Sequence, residues 1–345
     1  MLIRDVTLAD PPFTVEAQAA GAYELLVELS ALPRERASAR TQAALERVGD
    51  RSGEVWLHLL GLATEAPEPR DAAALLAALA AADPLEVRRH LLGADVPAWR
   101  RLVGPEVIGA AAAGDPAAQG RLLAHPRYYG GAAAHALAVL LPLGPEETRR
   151  RLLEVLGRWH EESFAAREAG LVELLAADAQ ATTELAAGLE PARLIELVCG
   201  GFAYEPEPEC PRVLLVPHLA ARPWLLLCQH RDTRIICHPA RHQDGDERAA
   251  TAERLARLGR ALGDEQRQRI LAALAGGHRD LDELAGAVGL SRSTVHHHLG
   301  LLRAAGLVRL AGNARRYRYG LRREAVAEAT ALLASVLTAP GEERP

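Results

Sequence analysis

The chain has 345 residues, 49% hydrophobic but only 4% aromatic, enough for two or three domains of about 150 residues with cores of Leu, Ala and Val. It carries 40 basic residues, every one an Arg, against 45 acids, for a formal net charge of −5. Four cysteines in this length do not make a secreted disulfide framework, and no uncharged apolar run approaches the roughly 18 residues that span a bilayer, so both classes are excluded.

In chain order, Met1-Leu2-Ile3-Arg4-Asp5 reaches polar residues before an apolar run forms. No leader is expected, and the protein reads as cytosolic. Residues 2–8 suit a short strand or arm ended by Pro11-Pro12. Ala19, Ala22, Tyr23, Leu26 and Leu29 recur at helical spacing and predict a helix over 15–32. Further helices are expected near 38–48, 52–62, 70–82, 84–92, 104–124, 131–141, 145–159, 161–178 and 181–198, punctuated by Pro and Gly. The texture changes after Cys199. An acidic, proline-rich loop, Glu205-Pro206-Glu207-Pro208-Glu209-Cys210-Pro211, precedes strand-like runs at 212–218, 223–230 and 234–238, the last two forming a hairpin around Arg231-Asp232-Thr233. Residues 241–246 read as a linker. The expected fold is therefore mainly α: a helical sensor or regulatory domain over 1–246, with a small β element near 212–239, and a second domain over 247–338.

Charge separates the two parts. Residues 250–345 hold 15 Arg and 10 acids, which leaves 25 and 35 for residues 1–249. Residues 284–323 contain eight Arg and no Asp or Glu. A stretch of one sign that long seeks a polyanion or repels itself, whereas the acidic part is unsuited to lie on phosphate.

The second domain opens with a helix carrying Leu255, Leu258 and Leu262, closed by Gly263. Asp264 can cap the next, with Ile270, Leu271 and Leu274 inward, and Asp280 a short third, with Leu281, Leu284, Ala285 and Val288 inward. Gly289-Leu290 is the tight turn of a helix-turn-helix. Ser291 then caps a fourth helix whose Val295, Leu299 and Leu302 face the core, leaving Arg292, Ser293, Thr294, His296, His297 and Arg303 outward. A hydroxyl-rich first turn suits phosphate and base edges, because its amides and partial positive charge face the ligand. Two strands around Ala311-Gly312-Asn313-Ala314 alternate Arg and Tyr, as a wing would, with Arg315, Arg316 and Arg318 near the DNA backbone or minor groove. A final helix over 324–337 pairs with the first as the expected dimer contact. The assigned DNA-facing set is Ser291, Arg292, Ser293, Thr294, His296, His297, Arg303, Asn313, Arg315, Arg316 and Arg318.

Residues 250–338 resemble the ArsR family of bacterial winged-helix repressors. The resemblance rests on Leu262-Gly263-Asp264-Glu265-Gln266-Arg267-Gln268-Arg269-Ile270-Leu271, on Ser291-x-Ser293-Thr294-Val295-x-His297-His298-Leu299, and on Leu302-x-x-Ala305-Gly306-Leu307-Val308. It implies a homodimeric DNA-binding regulator, a repressor by family habit, acting on a double-stranded DNA operator. It also implies metal sites that are missing here: Asp280-Leu281-Asp282-Glu283-Leu284-Ala285-Gly286 has no Cys or His, and residues 322–338 have no His. An unknown small-molecule or protein effector is thus expected to act through residues 1–246.

Other constellations carry less. Consecutive His296-His297-His298 diverge by about 100° per residue on a helix and cannot converge on one ion. Cys228-Gln229-His230 and Cys237-His238 share a hairpin that could bring Cys228 near Cys237 as a zinc or redox site, but such cysteines are commonly buried hydrophobes. Trp56, Trp99, Trp159, Trp224 and Tyr128-Tyr129 are core by default. No phosphate loop, nucleophile elbow or paired-His motif is present; no enzyme activity, catalytic residue, cofactor or metal ligand is assigned. The rival reading is an interaction scaffold or enzyme-like domain that uses the winged helix for protein contacts, separable by gel shift.

Overall fold

Short helices, most begun by an Asp or Ser cap or by Pro in the first turn, build the first part of the chain. The computed structural model describes residues 13–50, 53–125, 128, 133–241, 247–313 and 316–337; the expected strand or arm at 2–8 lies outside the described residues. The chain divides into two compact units, Met1–Thr183 with Pro208–Ala240, and Glu184–Glu207 with Arg241–Pro345.

The first unit contains β1 (Thr14–Ala17), α1 (Gly21–Ala31), α2 (Ala39–Arg47), α3 (Glu54–Leu57), α4 (Leu60–Glu65), α5 (Ala72–Ala81), α6 (Pro84–Leu91), α7 (Pro97–Val103), α8 (Pro105–Ala113), α9 (Pro116–Ala124), α10 (Ala133–Leu140) and α11 (Pro145–Trp159). A π turn, His160–Phe164, joins α11 to α12 (Glu168–Ala186). α13 (Pro191–Val198) and β2 (Phe202–Tyr204) belong to the second unit, and β3 (Arg212–His218), β4 (Leu226–His230) and β5 (Thr233–Pro239) to the first.

The fold is mainly helical, as expected, but several boundaries differ for identifiable reasons. The helix expected over 104–124 is two, because Gly114 at φ 105° closes α8 and the Asp115 side chain, accepting from the Ala118 amide at 2.8 Å, starts α9 ahead of Pro116. The one expected over 52–62 breaks at His58-Leu59, and α12 runs unbroken where a break was expected near 179–180. Val15 is in a strand, not a helix: β1 pairs in parallel with β3 (Val15↔Val213), β3 in parallel with β5 (Leu214↔Ile235), and β4 antiparallel with β5 (Cys228↔Ile235). The β element is therefore larger than a terminal hairpin, with strand order β1-β3-β5-β4. Val213, Leu214, Leu215 and Val216 are all buried, the pattern of a parallel strand covered on both faces. This register sets Cys228 opposite Ile235 and Cys237 opposite Leu226. Cys228 donates to the Leu57 carbonyl, and burial pushes its thiol up to about 11.

Trp56, Tyr23 and Phe164 are fully buried, and Trp159 and Tyr128 nearly so, which makes them core. Several polar residues inside this unit serve its helix ends. Buried Arg88 donates to the carbonyls of Leu143, Leu141 (2.9 Å) and Ala111 (3.4 Å), and Gln119 to the last two (2.9 and 3.2 Å). These lie at the ends of α8 and α10, where carbonyls lack partners inside the helix. Buried Glu24 of α1 likewise accepts from the Leu219 and Ala220 amides beyond β3, at 3.1 and 2.9 Å.

The second unit adds α14 (Glu247–Leu262), α15 (Glu265–Ala275), α16 (Leu281–Val288), α17 (Arg292–Ala304), β6 (Val308–Asn313), β7 (Arg316–Leu321) and α18 (Ala325–Leu337). β6 and β7 form the expected hairpin (Val308↔Leu321 to Asn313↔Arg316), and β2 extends it in parallel (Phe202↔Leu310) to a three-stranded sheet. Ile270, Leu274, Leu284, Val288, Val295, Leu299, Leu302 and Val308 fill the core beneath. Among the described residues no helix is long and apolar enough to cross a membrane.

Burial of Glu24 raises its carboxyl from the ordinary 4.5 to about 7. The folded state therefore holds the extra proton between those values, and the stability this confers is complete below about 4.5 and lost as pH rises through about 7. Glu24→Gln keeps an oxygen for both amides. Thermal denaturation across that window should show the midpoint falling with pH in the wild type and a distinctly flatter curve in the variant.

Candidate nucleic-acid interface

Helices α15, α16 and α17 are each started by a short-range cap visible in the sequence. The Asp264 carboxylate accepts from the Arg267 amide at 2.9 Å, while the Arg267 guanidinium turns back to the carbonyls of Ala261 (2.9 Å) and Arg260 (2.5 Å) at the end of α14. The Asp-x-x-Arg spacing thus starts one helix and closes another. Arg269 closes α16 in the same way, donating to the Val288 carbonyl at 2.8 Å. Asp280 and Glu283 exchange hydrogen bonds as a capping box, 2.9 and 2.8 Å. Gly289, at φ 68°, ends α16 in the left-handed conformation that a side chain resists, and Ser291 starts α17 by accepting from the Thr294 amide at 3.2 Å.

Val295, Leu299, Gly300 and Leu302 are the buried residues of α17. Their burial turns Arg292, Ser293, Thr294, His296 and His297 to solvent, with Arg292/His296 and Ser293/His297 each one turn apart on adjacent rows. The first turn carries linked hydroxyls: Ser291 Oγ lies 2.7 Å from Thr294 Oγ1 and 3.0 Å from Ser293 Oγ. Partial desolvation and the neighbouring Arg303 and His297 hold His296 below the usual imidazole range.

The acids on α16 lie against this surface. Arg292 pairs with Asp282 at 3.1 Å, both two-thirds exposed, and Arg318 lies 3.8 Å from Glu283 while donating to the His278 carbonyl at 3.2 Å. The one-signed stretch 284–323 stops just short of these two carboxylates, so the sequence count missed them. Arg309 on β6 contacts His278 Nε2 at 3.0 Å, and Arg279 bridges to Tyr319 on the far side of β7 (2.9 and 2.7 Å).

The other expected site residues divide. Arg303 is half-buried at the end of α17 and donates to the Cys199 carbonyl at 3.4 Å, so it braces the helix against the segment before β2 and leaves the outward face on which the sequence reading placed it. Asn313 and Arg316 are paired at the tip of the hairpin; Arg315 lies outside the described residues.

Residues 264–309 match the family model for the bacterial regulatory proteins of the arsR family. The chain is 44% identical over 91 residues to the HTH-type transcriptional regulator CmtR of Mycobacterium tuberculosis and of Mycobacterium bovis, a match over 26% of this chain and 77% of that protein. The chain belongs to the ArsR family. It is also 35% identical over 88 residues to the HTH-type transcriptional regulator Rv0324 of Mycobacterium tuberculosis, covering 26% of this chain and 39% of the relative. The crystal structure of NolR from Sinorhizobium fredii is 28% identical over 29% of this chain and 99% of its own, with a TM-score of 0.22. As an ArsR-family protein the chain is a DNA-binding helix-turn-helix regulator, and α16, Gly289-Leu290 and α17 are its helix-turn-helix.

The caps separate a hydroxyl that starts a helix from a neighbour that does not, both of them exposed. Ser291→Ala removes the cap of α17 and should cost about 1 kcal/mol of stability, whereas Ser293→Ala should leave stability within about 0.5 kcal/mol. Denaturant unfolding of both variants measures this.

Proposed function

We propose that the chain is a homodimeric, cytoplasmic repressor without enzyme activity, whose two α17 helices enter successive major grooves of a pseudo-palindromic operator. The carrying observation is the outward face of α17, where Arg292, Ser293, Thr294, His296 and His297 stand exposed beside an arginine-bearing hairpin. That is the geometry by which a helix reads base edges while a wing grips phosphate. Half-sites are placed about one helical turn apart, ~10 bp, or a multiple of it. The Arg292–Asp282 and Arg318–Glu283 pairs are exposed and worth about 0–1 kcal/mol each, so phosphate can replace either carboxylate. α14 and α18 pack together and supply the dimer contact; Leu262 and Leu333, 40% and 41% exposed, are the apolar side chains it would cover.

An effector acts from the acidic first unit in this reading. Support comes from the chain path: the segment after Thr183 enters the second unit, packs α13 against β2 and adds β2 to the wing sheet. A change that pulls on this segment acts on the base of the wing without passing through residues 241–246.

Footprinting and gel shift on the DNA upstream of the protein's own coding region test the proposal. Arg292→Ala with His297→Ala should weaken binding to the specific site by about 1–3 kcal/mol and to random DNA far less; Arg316→Ala should reduce the salt slope by about one. Operator affinity unchanged in both would sink the assignment. Protonating His296 adds positive charge to the face, and its lowered pKa places that gain on the acid side of the ordinary value. Wild-type affinity should therefore rise, and its salt dependence steepen, as pH falls below the ordinary imidazole range. His296→Gln should abolish most of that rise.

A further inference from the structure

Among the described residues one group of His and acid side chains has the spacing of a metal site, and all of it lies in the first unit. Glu65 ends α4, His90 lies in the last turn of α6, Asp95 follows in the next turn, and His230 ends β4. His90 Nδ1 lies 3.0 Å from Asp95 Oδ2, and His230 Nε2 lies 2.9 Å from Glu65 Oε1. The other Glu65 oxygen is 3.9 Å from His90 Nε2, and the two imidazole centroids are 5.4 Å apart. Ligand atoms of His90, Asp95 and His230 all fall within 4.8 Å of one another. A tetrahedral ion with N and O ligands at about 2.0–2.2 Å sets those atoms roughly 3.4 Å apart, so closure asks for side-chain shifts of about 1 Å.

The surroundings hold the group in place and leave it reachable. Gly61, one turn before Glu65, lies against the His230 ring, where a Cβ would come within 2.4 Å of Nδ1. Arg231 adopts a left-handed backbone at φ 51°, and its amide donates to the Asp95 carbonyl at 2.7 Å. Its guanidinium reaches back to Glu65 Oε1 (2.5 Å) and toward Asp95 Oδ1 (4.0 Å). The two carboxylates already attract a cation, and that cation sits on a side chain 62% exposed and able to leave. The histidine side chains are recessed at 11% and 8% exposure, the carboxylates at 34% each.

We propose that His90, Asp95 and His230, with Glu65 as a fourth donor, bind one divalent first-row transition ion of the Zn2+ or Co2+ kind. Two imidazoles select such an ion over Mg2+ and Ca2+, which prefer all-oxygen shells. Two carboxylates balance its charge once Arg231 swings out. The bound ion fastens the ends of α4 and α6 to the β4–β5 turn. The cysteine-bearing part of that hairpin takes no part, and the site stands independently of how the C-terminal unit meets DNA.

Titration of the full-length protein with Co2+ tests this. One equivalent should bind with visible d–d absorption and no thiolate charge-transfer band, be displaced by Zn2+ but not by excess Mg2+, and Zn2+ should raise the thermal midpoint by mass action. His90→Gln and Asp95→Asn should each lower Co2+ affinity by about tenfold or more. Arg231→Gln removes the competing cation and no ligand, so it should tighten binding several-fold. Absence of binding, a thiolate spectrum, or unchanged affinity in His90→Gln overturns the proposal. Should His90→Gln fail to fold, unchanged or weaker binding in Arg231→Gln overturns it instead.

Discussion

What α17 shows to solvent depends on what it buries. Val295, Leu299 and Leu302 are at most 1% exposed, and each contributes about 1.5–3 kcal/mol by leaving water. The ion pairs on the outer face, Arg292 with Asp282 and Arg318 with Glu283, contribute about 0–1 kcal/mol each. The helix azimuth is therefore set by the core, and the surface charges can change partners without turning the helix. A face held from behind suits a ligand that must be met in one register, because exchanging a carboxylate for a phosphate leaves the buried side unchanged.

The wing is held from its own side by chain from outside the C-terminal segment. β2 pairs along β6, the Glu205 amide donates to the Gly312 carbonyl at 2.9 Å, and Phe202, fully buried, stacks near Tyr204 and Tyr317 with ring centroids 6.1 and 6.5 Å apart. Arg303 joins the same segment through Cys199. The base of the wing is thus a three-stranded sheet with an aromatic contact, where a two-stranded ribbon alone would be marginal.

The helix-turn-helix was legible because its signals are local. Asp264, Asp280 and Ser291 each cap a helix within three residues, Gly289 supplies the left-handed turn, and the apolar spacing names the inward faces. The features that escaped are nonlocal. β1 and β2 have four and three residues, and they are strands only because β3 and β6 pair with them from about 200 and 110 residues away. Arg303 has helical spacing that points outward, but a carbonyl more than a hundred residues earlier captures its guanidinium. His90, Asp95 and His230 have no common motif, since a strand end and two positions around a helix end meet only in the fold.

Two sets of polar groups inside the first unit differ in what they face, and the difference bears on function. Arg88, Gln119 and Glu24 face backbone: their partners are carbonyls and amides at the ends of α8 and α10 and beyond β3. Substituting them leaves orphaned backbone groups in an Ala- and Leu-rich interior, at about 1–3 kcal/mol each, and the residues are accounted for by folding alone. Glu65, His90, Asp95 and His230 face one another. Their side chains meet imidazoles, carboxylates and the Arg231 guanidinium, and they complete no helix end. Helix capping gives no reason to gather two histidines and two acids at the junction of α4, α6 and β4, whereas a cation held among them does.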